Sequence, residues 1–358
     1  MLLIKLENHK QEIRRMNKNI LVVLFLLVFA VANAQENLVR LEKSKTDSIK
    51  LYLKEALDLM RKRSVNSSKL NWEEIYKDAN AAAENARTIA DAYPIIKMTL
   101  LKLEDSHSKF FSPKQVEAYL LGYRKTGQQF PEMKSAILES RYAYIQLPSF
   151  ASFNFAEWDE YVKTFWDKIS ELESKHPKGW IIDILDNEGG MFVPMYAAIS
   201  PFLDQHNVIG WKNGLGRYTF MNFKNGKFYE NNLARYQIKI GNRKIKIVRK
   251  PIVVLINEGT ASSGEFAAIS FVGQKNISFV GTKTTGLTSA NQEHKLADGA
   301  FLVLTEGNTI DRNRKEYAEV GKGLQPDYLV DNTDSLKNSD DAYFKKAIEV
   351  LSKQLNTP

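Results

Sequence analysis

The sequence predicts an α/β protein with a mixed, partly parallel sheet and flanking helices, preceded by a small helical domain. Three observations carry this. The β-branched runs "GWIIDIL" and "PIVVLI" are too short for helices and are bounded by Gly, Pro and Asn. Along the chain they alternate with helical segments such as "AEWDEYVKTFWDKISELES", and strand alternating with helix argues parallel crossovers. From about Asn37 to Leu103 the periodicity is helical instead.

The amino end reads as a leader. Met16 opens a short basic region, Ile20 to Val31 is an apolar core too short to span a bilayer comfortably, and Ala32-Asn33-Ala34 is a small-x-small cleavage site. The expectation is a signal segment over residues 1–34, with Met16 as the true start, cleavage after Ala34, and a periplasmic or secreted bacterial protein. An uncleaved anchor is the alternative. The chain has no cysteine, so neither a disulfide nor a lipid-modified Cys is available.

Residues 35–141 form the predicted helical domain and linker. In "DSIKLYLKEALDLMRKR" Ile49, Leu53, Ala56, Leu57 and Met60 recur at helical spacing, and Pro94 stands near a helix's first turn in "AYPIIKMTLLKLED". Residues 142–333 form the predicted core. Within it the stretch from Lys224 to Lys250 is basic and strand-rich, and reads as solvated edge strands rather than a nucleic-acid surface. Residues 334–358 hold a last amphipathic helix, "DAYFKKAIEVLSKQL". The net charge of +8 falls to +5 without Met1–Ala34, which carries five basic and two acidic residues, and the remaining charges are otherwise interspersed. No Walker loop, metal motif or cofactor fingerprint is found, so no cofactor and no nucleic-acid partner are expected.

The segment "INEGTASSGEFAA" follows the apolar run ending at Ile256 and leads into a helical pattern, which puts Thr260, Ser262 and Ser263 on a strand-to-helix turn. Such a turn can hold a nucleophile clear of the sheet beside unpaired helix amides, and it can equally carry a simple helix cap.

Read in series, "YAYIQLPSF", "GWIIDILDNEGG", "INEGTASSGEFAA", "FVGTKTTGLT", "LADGAFLVLTEG" and "GLQPD" resemble the tail-specific, or C-terminal processing, serine proteases over Tyr142 to Val330. The resemblance implies the crotonase-like core of that family. It implies Ser262 as nucleophile, the Ser263 amide as one oxyanion donor, and an amide at Gly189 or Gly190 as the other. Glycine there lets the backbone approach a tetrahedral intermediate. In the Ser-Lys branch the residue after Thr-x-Gly is the lysine base, and here it is Leu287. Lys283, earlier in the loop, would need desolvation to act as a base, and "GTKTTG" reads as an exposed turn.

The tricorn-type branch uses histidine instead. His107, in "LLKLEDSHSKF", resembles its general base, and Ser106 the neighbouring serine that helps orient it. A histidine can take the serine's proton and return it to the leaving amine, given a group that fixes its tautomer. The resemblance offers a glutamate for this before the closing Gly-x-x-Pro-Asp motif, here Glu319, with Glu316 the other candidate. His294 is a rival base, while His176 and His206 read as solvated surface. Many relatives carry a PDZ domain between the helical region and the first core strand, and the 31 residues from Phe111 to Arg141 are too few for one. The function expected is a serine endopeptidase of unfolded proteins or peptides, with Ser262, His107 and Glu319 at its site. The alternative is a non-catalytic hydrophobic-ligand-binding or scaffold protein on the same core. The oligomeric state stays open.

Overall fold

The structure, a computed structural model, describes residues 45–241, 245–330 and 339–356. The expected leader, with Met16 and the cleavage after Ala34, lies outside the described residues. Two compact units are distinguished: the described residues up to Asp58 with Asn71–Thr99, and Leu59–Leu70 with the chain from Leu100 onward.

The smaller unit is helical. Helix α1 (residues 45–63) buries Ile49, Leu53, Ala56 and Leu57, the apolar stripe that the sequence spacing predicts. Helix α2 (Trp72–Ala83) buries Ile75, Ala79 and Ala83, and the Asn71 side chain caps it by accepting from the Glu74 amide at 3.4 Å. Helix α3 (Tyr93–Lys102) follows, with Pro94 in its first turn where a missing N–H costs nothing.

The larger unit holds two sheets. Its elements begin with β1 (Lys109–Phe111), α4 (Pro113–Thr126), β2 (Ser135–Leu138), β3 (Tyr142–Gln146), α5 (Phe155–Glu173), β4 (Gly179–Asp183) and α6 (Phe192–Ile199). An antiparallel meander follows: β5 (Ile209–Asn213), β6 (Tyr218–Lys224), β7 (Lys227–Glu230) and β8 (Leu233–Gln237). Then come β9 (Ile252–Ile256), α7 (Ser263–Ile269), β10 (Ile277–Gly281), β11 (Ser289–Lys295), β12 (Phe301–Asp311), β13 (Glu316–Tyr317), β14 (Tyr328–Leu329) and α8 (Ser339–Asn356). The residues from Leu100 to Arg141, grouped with the helical region on sequence grounds, pack with this unit because β1 pairs with β12 and β2 with β3.

The first sheet has the order β14-β10-β9-β4-β3-β2 and is parallel except for the β2–β3 edge. This is the mixed, partly parallel sheet that the sequence predicts. Its middle strands β4 and β9 are buried at every position, which explains their near-continuous apolar sequences. Helices α5, α6 and α7 bury Trp158, Phe165, Tyr196 and Ala267 in one large core with this sheet, while α8 buries Tyr343, Ala347 and Leu351 against Ile181, Val253 and Leu255. The second sheet runs β1-β12-β5-β6-β7-β8, with β11 and β13 also pairing to β12. The basic stretch from Lys224 supplies β7 and β8, and β8 is exposed throughout, an edge strand as expected. Among the described residues no helix is long and apolar enough to cross a membrane.

Candidate active site

Two turns meet at the carboxyl ends of β4 and β9, where parallel sheets commonly place their sites. The strands run in register, Asp183 opposite Leu255, so the chain leaves both at one level. The turns are then tied together. Ala261 donates its amide to the Asn187 carbonyl at 2.9 Å, Thr260 Oγ1 donates to the Ile184 carbonyl at 2.8 Å, and Asn257 Nδ2 donates to Asp186 Oδ1 at 2.8 Å. Gly264 lies so close to the first turn that a Cβ would sit 2.3 Å from the Asn187 carbonyl oxygen.

Ser262 stands at the sharp bend before α7 with φ 51° and ψ −122°, a conformation that costs an L-residue about 1–3 kcal/mol. The bend lifts its hydroxyl off the end of β9 while Ser263 opens the helix, the backbone form of a strand-to-helix turn that can carry a nucleophile. Glu265, fully buried one turn on, holds the bend from beneath. It accepts the amides of Ser262 at 3.2 Å, Gly286 at 2.8 Å and Leu287 at 2.7 Å, and the Thr284 hydroxyl. Burial pushes its carboxyl above the usual range, and these four bonds oppose the shift.

The other turn brings glycine against the serine. Gly189 and Gly190 have φ +97° and +112°, and a Cβ on Gly189 would fall 2.8 Å from the Ser263 nitrogen and 2.9 Å from Ser262 Cβ. The Gly189 amide is already given to Asn187 Oδ1 at 2.9 Å. The Gly190 amide lies outside the bridge to Phe150, in which Phe150 donates to the Gly189 carbonyl and Met191 to the Phe150 carbonyl. Ser263 Oγ donates to the Gly190 carbonyl at 2.7 Å, fixing one turn to the other. The Gly190 and Ser263 amides have no protein acceptor among the described residues, and both residues line one cleft with Ser262.

His107 comes from the second sheet, on the turn before β1. Its Nε2 is 2.9 Å from Ser262 Oγ although 155 positions separate them. Its Nδ1 is 2.8 Å from Ser289 Oγ, at the start of β11. Strand β12 gathers these parts, pairing with β1 at Phe110–Leu302 and with β11 from Ser289 to Lys295. His107 is 8% exposed, and burial depresses its pKa below the usual 6.5, with Asp105 acting against the shift and Lys109 with it. A neutral imidazole accepting at Nε2 can take a proton from Ser262, and its Nδ1–H is then directed at Ser289. A cleft of about 380 Å³ opens on this pair, walled by Phe111, Phe153, Trp158, Phe192, Trp211 and Phe228.

The family model for peptidase family S41 matches residues 141–330, over half of the chain. The chain belongs to peptidase family S41. It is 27% identical over 284 residues to the nisin-resistance protein of Lactococcus lactis subsp. lactis, covering 79% of this chain and 84% of that one. It is 25% identical over 214 residues to the carboxy-terminal processing protease CtpA of Bacillus subtilis, covering 58% of this chain but only 38% of that longer protein. A solved lipoprotein from Streptococcus agalactiae has the same fold, with a TM-score of 0.67 at 22% identity over 83% of this chain and 96% of that one.

Against this S41 frame, the residues named from sequence divide in two. Ser262, His107, Gly189, Gly190 and Ser263 come together. Glu319 does not join them: its side chain is 71% exposed and pairs with Lys322 at 2.7 Å, three residues along the same loop. Glu316 is bound to Lys212 on β5. The position assigned to a carboxylate at His107 Nδ1 holds the Ser289 hydroxyl instead. Ser106 is exposed and makes no bond to the ring. Lys283 is exposed and donates to the Gly321 carbonyl at 3.0 Å, and His294 pairs with Glu306 at 2.5 Å. His176 and His206 lie on the surface. Leu287, where the sequence resemblance puts the lysine of the Ser-Lys branch, lines the cleft and gives its amide to Glu265. Sequence reasoning missed Ser289, Asn187 and Glu265. Glu265 had a local signal, the Ser-x-x-Glu spacing of a capping box, and Asn187 stands at the head of the Asn-x-Gly-Gly turn in "DNEGG".

Proposed function

We propose that this S41 peptidase is a serine-type endopeptidase acting outside the cytoplasm on unfolded proteins or peptides. Ser262 Oγ attacks the scissile carbonyl as His107 Nε2 takes its proton, and the imidazolium then gives that proton to the leaving amine. A water, deprotonated by the same nitrogen, releases the acyl group. Ser289 accepts from Nδ1 and fixes the tautomer. The Gly190 and Ser263 amides receive the oxyanion. The observation that carries this reading is the 2.9 Å contact of His107 with a serine held at positive φ. An open cleft with aromatic walls suits an extended chain better than a folded surface. Export rests on the leader.

The test is labelling of the mature chain with a fluorophosphonate probe, paired with hydrolysis of an unstructured protein such as casein. Labelling at Ser262 with casein cleavage supports the reading. Retention of a long apolar ligand, with neither labelling nor cleavage, would favour a binding module. Two variants sharpen the outcome. Glu319→Gln should stay within about twofold of the parent, because an exposed pair three residues apart contributes little and does not touch the ring. Gly189→Ala should cut kcat/KM by about 10² or more while circular dichroism shows a folded chain, because its Cβ would push the Ser263 amide off the oxyanion.

A further inference from the structure

A histidine base that turns cationic beside its nucleophile needs both a partner that orients the ring and a negative charge that offsets the imidazolium. Ser289 supplies the first and, being neutral, not the second. The hydrogen bonds behind Ser289 lead to a carboxylate. Ser289 Oγ is 3.5 Å from Thr305 Oγ1 on β12, and Thr305 Oγ1 donates to Asp105 Oδ1 at 2.9 Å. We infer that Asp105 is the acid of this site, a positioning residue that acts on His107 through the Thr305 and Ser289 hydroxyls without touching the ring. The inference rests on the serine-peptidase reading of Ser262 and His107.

The proton directions agree along the whole path. With Nε2 accepting from Ser262, Nδ1 carries its proton and donates to Ser289. Ser289's own proton is then free for Thr305, and Thr305's for Asp105. Each hydroxyl therefore turns its oxygen toward the ring and its hydrogen toward the carboxylate, the orientation that stabilises a cation. Thr305 has a second acceptor, Asn291 Oδ1 at 3.0 Å, but a bond to an ionised carboxylate is roughly twice as strong. Asn291 also braces the base from its other end, donating Nδ2 to the His107 carbonyl at 3.0 Å.

Asp105 further accepts the backbone amides of His107 at 2.9 Å and Ser108 at 2.8 Å, along with the Ser108 hydroxyl. Ser108 Oγ in turn accepts the Thr305 amide at 2.9 Å, so carboxylate, ring and β12 are one assembly. Of the other charged groups around His107, Lys109 on β1 opposes the imidazolium, and Glu188 and Glu293 line the cleft. Asp105 is the carboxylate that the hydroxyl path reaches.

The experiment follows the His107 titration by NMR in the full chain, together with the fluorophosphonate labelling rate across pH. Asp105→Asn should lower the His107 pKa by about one unit or more. It should slow labelling at the alkaline plateau by about tenfold or more, short of the ~10⁴ seen when a directly bonded acid is neutralised. Thr305→Val should shift both in the same direction by less, and Thr305→Ser should behave as the parent. Should Asp105→Asn fail to fold, Thr305→Val decides, since it leaves every other bond to Asp105 in place. A His107 pKa unmoved in Thr305→Val overturns the inference, whatever Asp105→Asn does. If Ser262 takes no probe in the parent, the peptidase reading falls, and the titration still reports whether Asp105 acts on the ring.

Discussion

Replacing His107 with glutamine will lower kcat/KM for casein peptides by about 10³ or more at every pH, since nucleophile and base act as a unit. Glutamine can still hydrogen-bond to Ser262 but cannot hold the proton between attack and release of the amine. In the parent, activity should rise with pH as the imidazole loses its proton, with a midpoint below about 6.5. Burial is the largest influence on the ring and disfavours the charged form. The sign extends to stability: a histidine kept neutral by the fold costs stability as pH falls below about 6.5, because the unfolded chain binds the proton first. A lysine base would instead drive activity upward into the alkaline range. Lys283→Ala should leave the profile in place, because that amine is exposed and tied to the Gly321 carbonyl. A His107→Gln variant as active as the parent would end the histidine mechanism.

How much of this was legible depends on whether a feature is made locally. The apolar runs that became β4 and β9 are buried at all five positions each, so composition alone marked them as interior parallel strands. Ser262 was visible because strand, Gly, Thr, two serines and a helical pattern lie within thirteen residues. His107 was visible only through a family's context, since no local rule pairs it with a serine 155 positions away. The third member was misplaced for the same reason. Glu319 stood at the right distance from "GLQPD", but its loop carries Lys322, and the ion pair forms there in the solvent. The group that meets the ring is Ser289, brought by an antiparallel register between β11 and β12 that no spacing in "TTGLTSANQ" announces. Asp105 and Thr305, 200 positions apart, are joined by the pairing of β1 with β12. Glu265 had its signal in the Ser-x-x-Glu spacing, which competes with the reading of the same serine as nucleophile. The structure has room for both, because the carboxylate takes the serine's backbone amide while His107 reaches its hydroxyl.

The second large effect concerns Ser262 itself, where loss of activity and gain of stability should part company. Ser262→Ala should abolish probe labelling and reduce peptide hydrolysis to the residual rate that an oxyanion site alone supports, about 10³–10⁴ over water. Its thermal midpoint should stay near the parent's, because alanine must adopt the same positive φ and the lost hydroxyl meets only the ring and, as a helix cap, the Glu265 amide. Ser262→Gly should be equally inactive but more stable. At φ 51° and ψ −122° the backbone is strained for any residue with a Cβ, and removing that atom releases part of a cost of about 1–3 kcal/mol. Glycine gives some of this back through the greater freedom of its unfolded chain, about 0.5–1 kcal/mol. A net rise in the midpoint of Ser262→Gly over Ser262→Ala, read by calorimetry on the two inactive chains, would show that the bend is bought for the hydroxyl's position and not for the fold. Equal midpoints would mean that Glu265, by taking the Ser262, Gly286 and Leu287 amides, sets the bend without net strain. Labelling that persists in Ser262→Ala and disappears in Ser263→Ala would move the nucleophile by one residue, to a hydroxyl that here is occupied in donating to the Gly190 carbonyl.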